Sequence, residues 1–283
     1  MQRRARWSAA CFIPVIMSLV DGGPSSRIPA VVRANWQALA ATPARGVFDP
    51  EGLRSLPAPA RRFLGRAIAP GAPLWQSARL TMVGTMLLKP GGEPVAMTAE
   101  QVLAPPRGLV WCARVGAGVM RISGYDRYFD GEGEMRWKLF GLVPVASASG
   151  RDVSRSAAGR VAGEAVFVPA TLLPQFGTEW EDIDHARAAY LMQVGDERVR
   201  CELTVDDGGR LLQSSVRRWR EAASGRPAGY HRFDVDGWAD EQTRDGYTLP
   251  TRFRAGWQLG DDDEFPFFFA QVDSLVLGPA RDR

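Results

Sequence analysis

With 283 residues, 45% of them hydrophobic and 24% charged, the chain can bury a full core and has the balance of an ordinary soluble globular protein. The net charge is only +3, and basic and acidic residues are interleaved along the whole sequence. This argues against a nucleic-acid partner, which needs cations clustered on one face. Only two histidines, His185 and His231, and three widely spaced cysteines occur, so histidine-rich metal centres, zinc-finger spacings and a disulfide framework are excluded.

In chain order, residues 1–47 read as an N-terminal extension. Arg3, Arg4 and Arg6 precede an apolar run from Ala9 to Val20, the outline of a signal or anchor, but Pro14 interrupts the run and no clear cleavage site follows. Peripheral membrane association through this segment is one expectation; localisation is otherwise open, with the cytoplasm the nearer reading. A short helix is expected near Val31 to Leu39. Phe48 to Ile68 reads as a helical lead-in, with Pro59 suited to a first turn and Phe63, Leu64 and Ile68 at helical spacing.

From Trp75 onward the period is two. Leu109, Trp111, Ala113 and Val115 fall on one strand face, and Val110, Cys112 and Arg114 on the other. Met135, Trp137 and Leu139 repeat the pattern, as do Val199, Cys201, Leu203 and Val205, and Phe265, Phe267 and Phe269. The breaks between these runs are turn signals: Asp130-Gly131, Gly195-Asp196, Asp207-Gly208 and Asp245-Gly246. Strands without intervening helices imply an antiparallel sheet. One internal helix is expected, from about Ser154 to Val166, with Arg160 and Glu164 on one side and Pro169 ending it. The fold class is therefore mainly β (α+β): a curved antiparallel sheet or half-open barrel with a mid-chain helix. One domain is expected over 48–277, its helical lead-in at 48–70 and its sheet at 75–277. Trp111 and Trp137 should be buried on the same side.

The chemistry is less legible. There is no G-x-S-x-G elbow, Walker A loop or strand-linked G-x-G-x-x-G, and no cofactor, metal site or catalytic residue is expected. Cys112 and Cys201 sit in apolar runs and read as small buried hydrophobes. Glu179, Glu181, Asp182 and Asp184 are either a solvated corner or oxygen ligands for a hard cation. Arg114, Tyr125, Asp126, Tyr128, Trp137, Glu164 and Trp180 form the candidate binding constellation. In it a helix over a curved sheet brings arginine, carboxylate and phenol together, as a ligand anchor or as a structural ion pair.

The segments LPAPARRFL at 56–64, GLVWCARV at 108–115, YDRYFDGEGEM at 125–135, GLVPVA at 141–146, GRVAGEAVFVPATLLP at 159–174 and WEDID at 180–184 resemble, in order and spacing, a bacterial family of unknown function, DUF6544, also called DUF6920. The similarity covers about Phe48 to Leu277. Phe167 stands where the family pattern has tryptophan, and Trp238 where tyrosine is usual. The resemblance implies a half-barrel closed by helices, like the lipoprotein-carrier fold, and no activity.

Three functional readings follow. The first is a non-enzymatic protein holding an apolar ligand, a lipid or acyl chain, in an aromatic concavity, with Arg114 meeting an anionic head. The second is a carboxylate-dependent enzyme using Glu164 and Arg114. The third is a structural or interaction domain with a fully packed interior.

Overall fold

The computed structural model describes residues 28–117, 121–222 and 227–279; the signal-like or anchor-like reading of the first residues lies outside them. In chain order the elements are α1 (Ala30–Ala40), α2 (Ala58–Ala67), β1 (Ala78–Met86), β2 (Val95–Ala104), β3 (Gly108–Val115), β4 (Ile122–Phe129), β5 (Glu132–Leu139) and β6 (Val143–Ser149). There follow α3 (Arg151–Gly163), β7 (Glu179–Asp182), β8 (Arg187–Val194), β9 (Glu197–Val205), β10 (Leu211–Arg220), β11 (Gly229–Ala239), β12 (Gln242–Arg244), β13 (Tyr247–Leu249), β14 (Arg252–Trp257) and β15 (Phe265–Leu277).

Thirteen strands form one antiparallel sheet in the order β6-β5-β4-β3-β2-β1-β15-β14-β11-β10-β9-β8-β7, and β12 and β13 form a separate hairpin. The Asp-Gly signals are tight turns as expected: Asp130 and Gly131 have φ of 47° and 100°, and Asp245 and Gly246 have 50° and 82°. Two consecutive positive φ values match the right-handed twist of the flanking strands.

The sheet curls into a half-barrel, and glycines let it do so. At Gly84 in β1 an added Cβ would lie 1.9 Å from the Phe269 carbonyl oxygen of β15, so only a residue without a side chain permits that approach. The curl brings distant strands together. Tyr128 of β4 places its hydroxyl 2.5 Å from where a Cβ would stand on Gly195, in the β8–β9 turn.

The inner face holds the main core, with Leu80, Leu103, Leu109, Trp111, Tyr128, Tyr190 and Leu203 buried together. Helix α3 lies against this face and touches β3, β4, β5 and β6 on one side and β8, β9 and β10 on the other. It lies three residues earlier than expected: the α-helix ends at Gly163, and tighter turns at Glu164–Phe167, Pro169–Leu172 and Pro174–Phe176 continue the chain. Pro169 starts one of these turns, consistent with its fixed φ at a first position. On the outer face α1 packs Val32, Trp36 and Leu39 against Val102, Val110, Cys112 and Tyr125.

Strict register fails at several places, and one of them reaches the interior. The register of β15 shifts by one residue between Ala255 and Gly256 of its neighbour β14. Phe267 and Phe268 therefore both line the interior, where alternation alone selected Phe265, Phe267 and Phe269.

Arg66 of α2 clamps Glu241, in the turn after β11, with Nε 2.9 Å from Oε1 and a second, shorter bond between Nη2 and Oε2. These bonds hold the Glu241 carboxyl below its ordinary pKa. A depressed carboxylate contributes stability above the unfolded pKa of about 4.3 and loses it as pH falls through the folded value. Glu241→Gln should cost about 1 kcal/mol at pH 7 and flatten the fall in urea midpoint between pH 5 and 3. Gly84→Val should cost about 1–3 kcal/mol or more, read from the same urea melts.

Candidate functional site

Between α3 and the inner face lies a partly open cavity of about 200 Å³. Met82, Met86, Phe167, Phe233, Val235, Trp238, Phe253, Ala255, Phe267 and Phe268 supply its apolar wall. The rings interlock: Phe253 stands 4.9 Å from Trp238 and 5.7 Å from Phe167, centroid to centroid. Small residues on one face of α3 keep the space open. A Cβ on Gly159 would come within 3.1 Å of Arg218, and one on Gly163 within 3.3 Å of Val216.

One wall is polar and fully wired. Arg160 Nη1 donates to Asp126 Oδ2 at 2.9 Å and its Nε to Glu164 Oε1 at 2.6 Å. Trp137 Nε1 donates to Asp126 Oδ1 at 3.0 Å, and Gln101 Nε2 donates to Glu164 Oε2. Each of the four carboxylate oxygens thus accepts one hydrogen bond. The Arg160 guanidinium also lies 4.8 Å above the Trp111 ring. Burial alone would lower the Arg160 pKa, but Glu164 and Asp126 beside it reverse that and raise it. The carboxylates come from the sheet (Asp126 on β4) and from the end of α3 (Glu164), so the arginine locks helix to sheet.

Of the seven residues expected at the site, Asp126, Trp137 and Glu164 come together. Trp137 packs on Trp111 at 5.6 Å and 54°, on the same side of the sheet, though Trp137 is only half-buried. Gly124 makes room, since a Cβ there would fall 2.7 Å from the Trp137 ring.

Arg114 is not part of the site. Its register partners are Thr98 and Ser123, on the opposite face from Trp111, and it makes no hydrogen bond or ion pair among the described residues. The helix arginine Arg160, four residues before Glu164, holds the place assigned to it. Tyr125 is on that outer face too, donating to Glu134 Oε1 at 2.8 Å. Tyr128 is inside, with its hydroxyl against Gly195 of the β8–β9 turn, and does not line the cavity. Trp180 donates to the Leu172 carbonyl at 2.8 Å and stacks on Tyr190 at 5.4 Å, away from the cavity.

Two further candidates resolve plainly. Glu179, Glu181 and Asp184 pair with Arg198 at 2.8 Å, Arg200 at 2.7 Å and Arg187 at 2.8 Å, a surface ladder of ion pairs. Among the described residues no group of His, Cys, Asp or Glu stands together as a metal site. Cys112 and Cys201 are buried, and burial pushes both thiols up to about 12, far from a reactive thiolate.

Sequence reasoning missed Arg218 of β10. It lines the cavity and donates through Nε to the Ser156 carbonyl at 2.9 Å and the Ser156 hydroxyl at 3.1 Å.

The fold is a curled antiparallel half-barrel wrapped around one helix. The chain belongs to DUF6544, a family of unknown function, whose family model matches residues 46–270. No curated protein matches it. Among solved structures it is similar to a LolA superfamily protein from Nitrosomonas europaea, at 12% identity and a TM-score of 0.46, over 81% of this chain and 96% of that one. It is also similar to a domain assigned to outer membrane lipoprotein sorting from Vibrio parahaemolyticus, at 9% identity and a TM-score of 0.41, over 74% and 88% of the two chains. A DUF1329 family protein from Desulfovibrio piger scores 0.41 at 13% identity, over 81% and 94%.

If Arg160 ties helix to sheet, Arg160→Met should cost about 3–5 kcal/mol, because it leaves two half-buried carboxylates unpaired. Arg114→Met should cost less than about 0.5 kcal/mol. Urea unfolding of the two variants separates these outcomes.

Proposed function

We propose that the protein binds an apolar ligand, a lipid or acyl chain, in the cavity between α3 and the sheet. The observation that carries this reading is the void itself. Protein interiors are close-packed, and voids larger than a water molecule are few. A space of about 200 Å³ walled by phenylalanine, methionine and tryptophan therefore supports a ligand over a fully packed structural interior. Ligand pockets for whole drug-sized molecules run to about 300–1,000 Å³, so this one suits part of a molecule: one end of a chain, of about ten non-hydrogen atoms.

The wiring of the polar wall weighs against a carboxylate-dependent enzyme. A general base has to turn a lone pair toward a substrate proton, and hydrogen bonds from protein groups to both of its oxygens hold a carboxylate against that turning. Both oxygens of Glu164 already accept hydrogen bonds, from Arg160 and Gln101, and both of Asp126 do so from Arg160 and Trp137. In this reading Asp126, Trp137 and Glu164 shape the pocket through Arg160 and do no chemistry.

Purified protein examined by native mass spectrometry should carry or take up an aliphatic ligand such as 1-octanol. Ala255→Phe, which adds a ring to the cavity wall, should weaken calorimetric binding at least about tenfold by overfilling the space. A wild-type protein that takes up neither 1-octanol nor any longer aliphatic alcohol would defeat the reading.

A further inference from the structure

Arg218 differs from the other arginine that lines the cavity. Arg160 has two carboxylates and a tryptophan face. Arg218 forms no ion pair among the described residues; its only hydrogen bonds run from Nε to the neutral oxygens of Ser156. The Nη1 and Nη2 groups have no hydrogen-bond partner among the described residues, and neither is sealed away from a ligand. The guanidinium sits 5.3 Å from the Phe233 ring centre and 5.9 Å from that of Trp257, at the aromatic end of the cavity. Burial, then the neighbouring Arg160 charge, lower its pKa to about 10, so it stays charged at neutral pH without full compensation. Trp111 lines the same cavity, and its buried indole N–H also lacks a partner. Guanidinium and indole are donors only, so what both lack is an acceptor.

A second opening lies beside the cavity. Strands β9 and β10 pair only as far as Cys201 and Val216; beyond that β10 runs on to Arg220 paired with β11 alone. A crevice of about 850 Å³ opens at this parting and shares Gly159, Ser215 and Val216 with the cavity. Five arginines line it; Arg155, Arg198, Arg200 and Arg232 are paired with Glu197, Glu179, Glu181 and Asp234, and Arg217 has no ion pair among the described residues.

We propose that the cavity takes an amphipathic anion: an apolar body among the phenylalanines and a carboxylate held by the two terminal nitrogens of Arg218. This deepens the apolar-ligand reading and rests on it. A planar guanidinium fork meets a carboxylate with two parallel hydrogen bonds, and its hydrophobic surroundings strengthen them. The anionic head belongs at Arg218 rather than at Arg114, which faces away from the cavity.

The test compares octanoate with 1-octanol, which share an apolar body and differ in the head, by calorimetric titration. Wild type should bind octanoate at least about tenfold more tightly than 1-octanol, the least that a charge-assisted hydrogen bond supplies. Arg218→Met keeps the apolar stem and should abolish that preference while still binding 1-octanol. Arg218→Lys keeps the charge without the fork and should retain part of the preference, which guards against a methionine variant that fails to fold. If wild type binds the two probes equally, or if the folded methionine variant keeps the full preference, the role of Arg218 is wrong and the apolar cavity survives. If wild type binds neither probe, the apolar reading and the anion site fall together.

Discussion

A guanidinium does not leave water without compensation, and the way Arg160 is compensated organises this fold. Its side chain is 15% exposed and meets one carboxylate from β4, one from the end of α3, and the face of Trp111 from β3. Losing either acid would leave a charge poorly matched in a medium of low dielectric. The helix can therefore occupy only one depth and one rotation inside the curl. Asp126 is fixed in turn by the Trp137 indole, and Glu164 by Gln101 of β2, so the constraint spreads across four adjacent strands.

That anchoring sets the space that remains. Small residues let α3 approach closely: the Ser154 hydroxyl accepts from the Gly133 amide at 2.8 Å, and Gly159 and Gly163 face β10 without side chains. The glycines that admit the helix backbone leave nothing to fill the volume beside it. Large rings from β11, β14 and β15 approach from the other side and stop against one another. The cavity is what is left between a helix with too little bulk on one face and a sheet whose rings cannot cross it.

Much of this could be read from the chain. Period-two alternation, Asp-Gly turns and the absence of βαβ units gave the antiparallel class and most strand faces, because side-chain direction in a strand is local. The same alternation already put Arg114 opposite Trp111, and the spacing of four between Arg160 and Glu164 was visible. The expected site paired Glu164 with the wrong arginine, because which face of β3 looks toward the helix is decided by how the sheet curls around it and not by local alternation. Two features had no local signal. The bulge that turns both Phe267 and Phe268 inward arises from how β14 and β15 register. The parting of β9 from β10 lies beside the N-terminal part of α3, where Arg155 meets Glu197 and Ser156 meets Arg218, and without it Arg218 reads as one more cation on a strand rich in them.

The arginine-rich composition acquires its meaning from that contrast. On the surface the arginines are answered in kind: Arg187, Arg198, Arg200, Arg252 and Arg254 each face a carboxylate within 2.9 Å. Exposed pairs of this sort contribute little to stability, and a sequence can gain or lose them freely. An interior cation is different, since its desolvation must be offset by something close. For Arg160 the chain supplies the offset itself, twice over. For Arg218 it supplies a serine and two aromatic rings, and no acid among the described residues. Within one cavity, one guanidinium is paired twice and the other meets no acid among the described residues, and that contrast is what the proposal of an anionic ligand rests on.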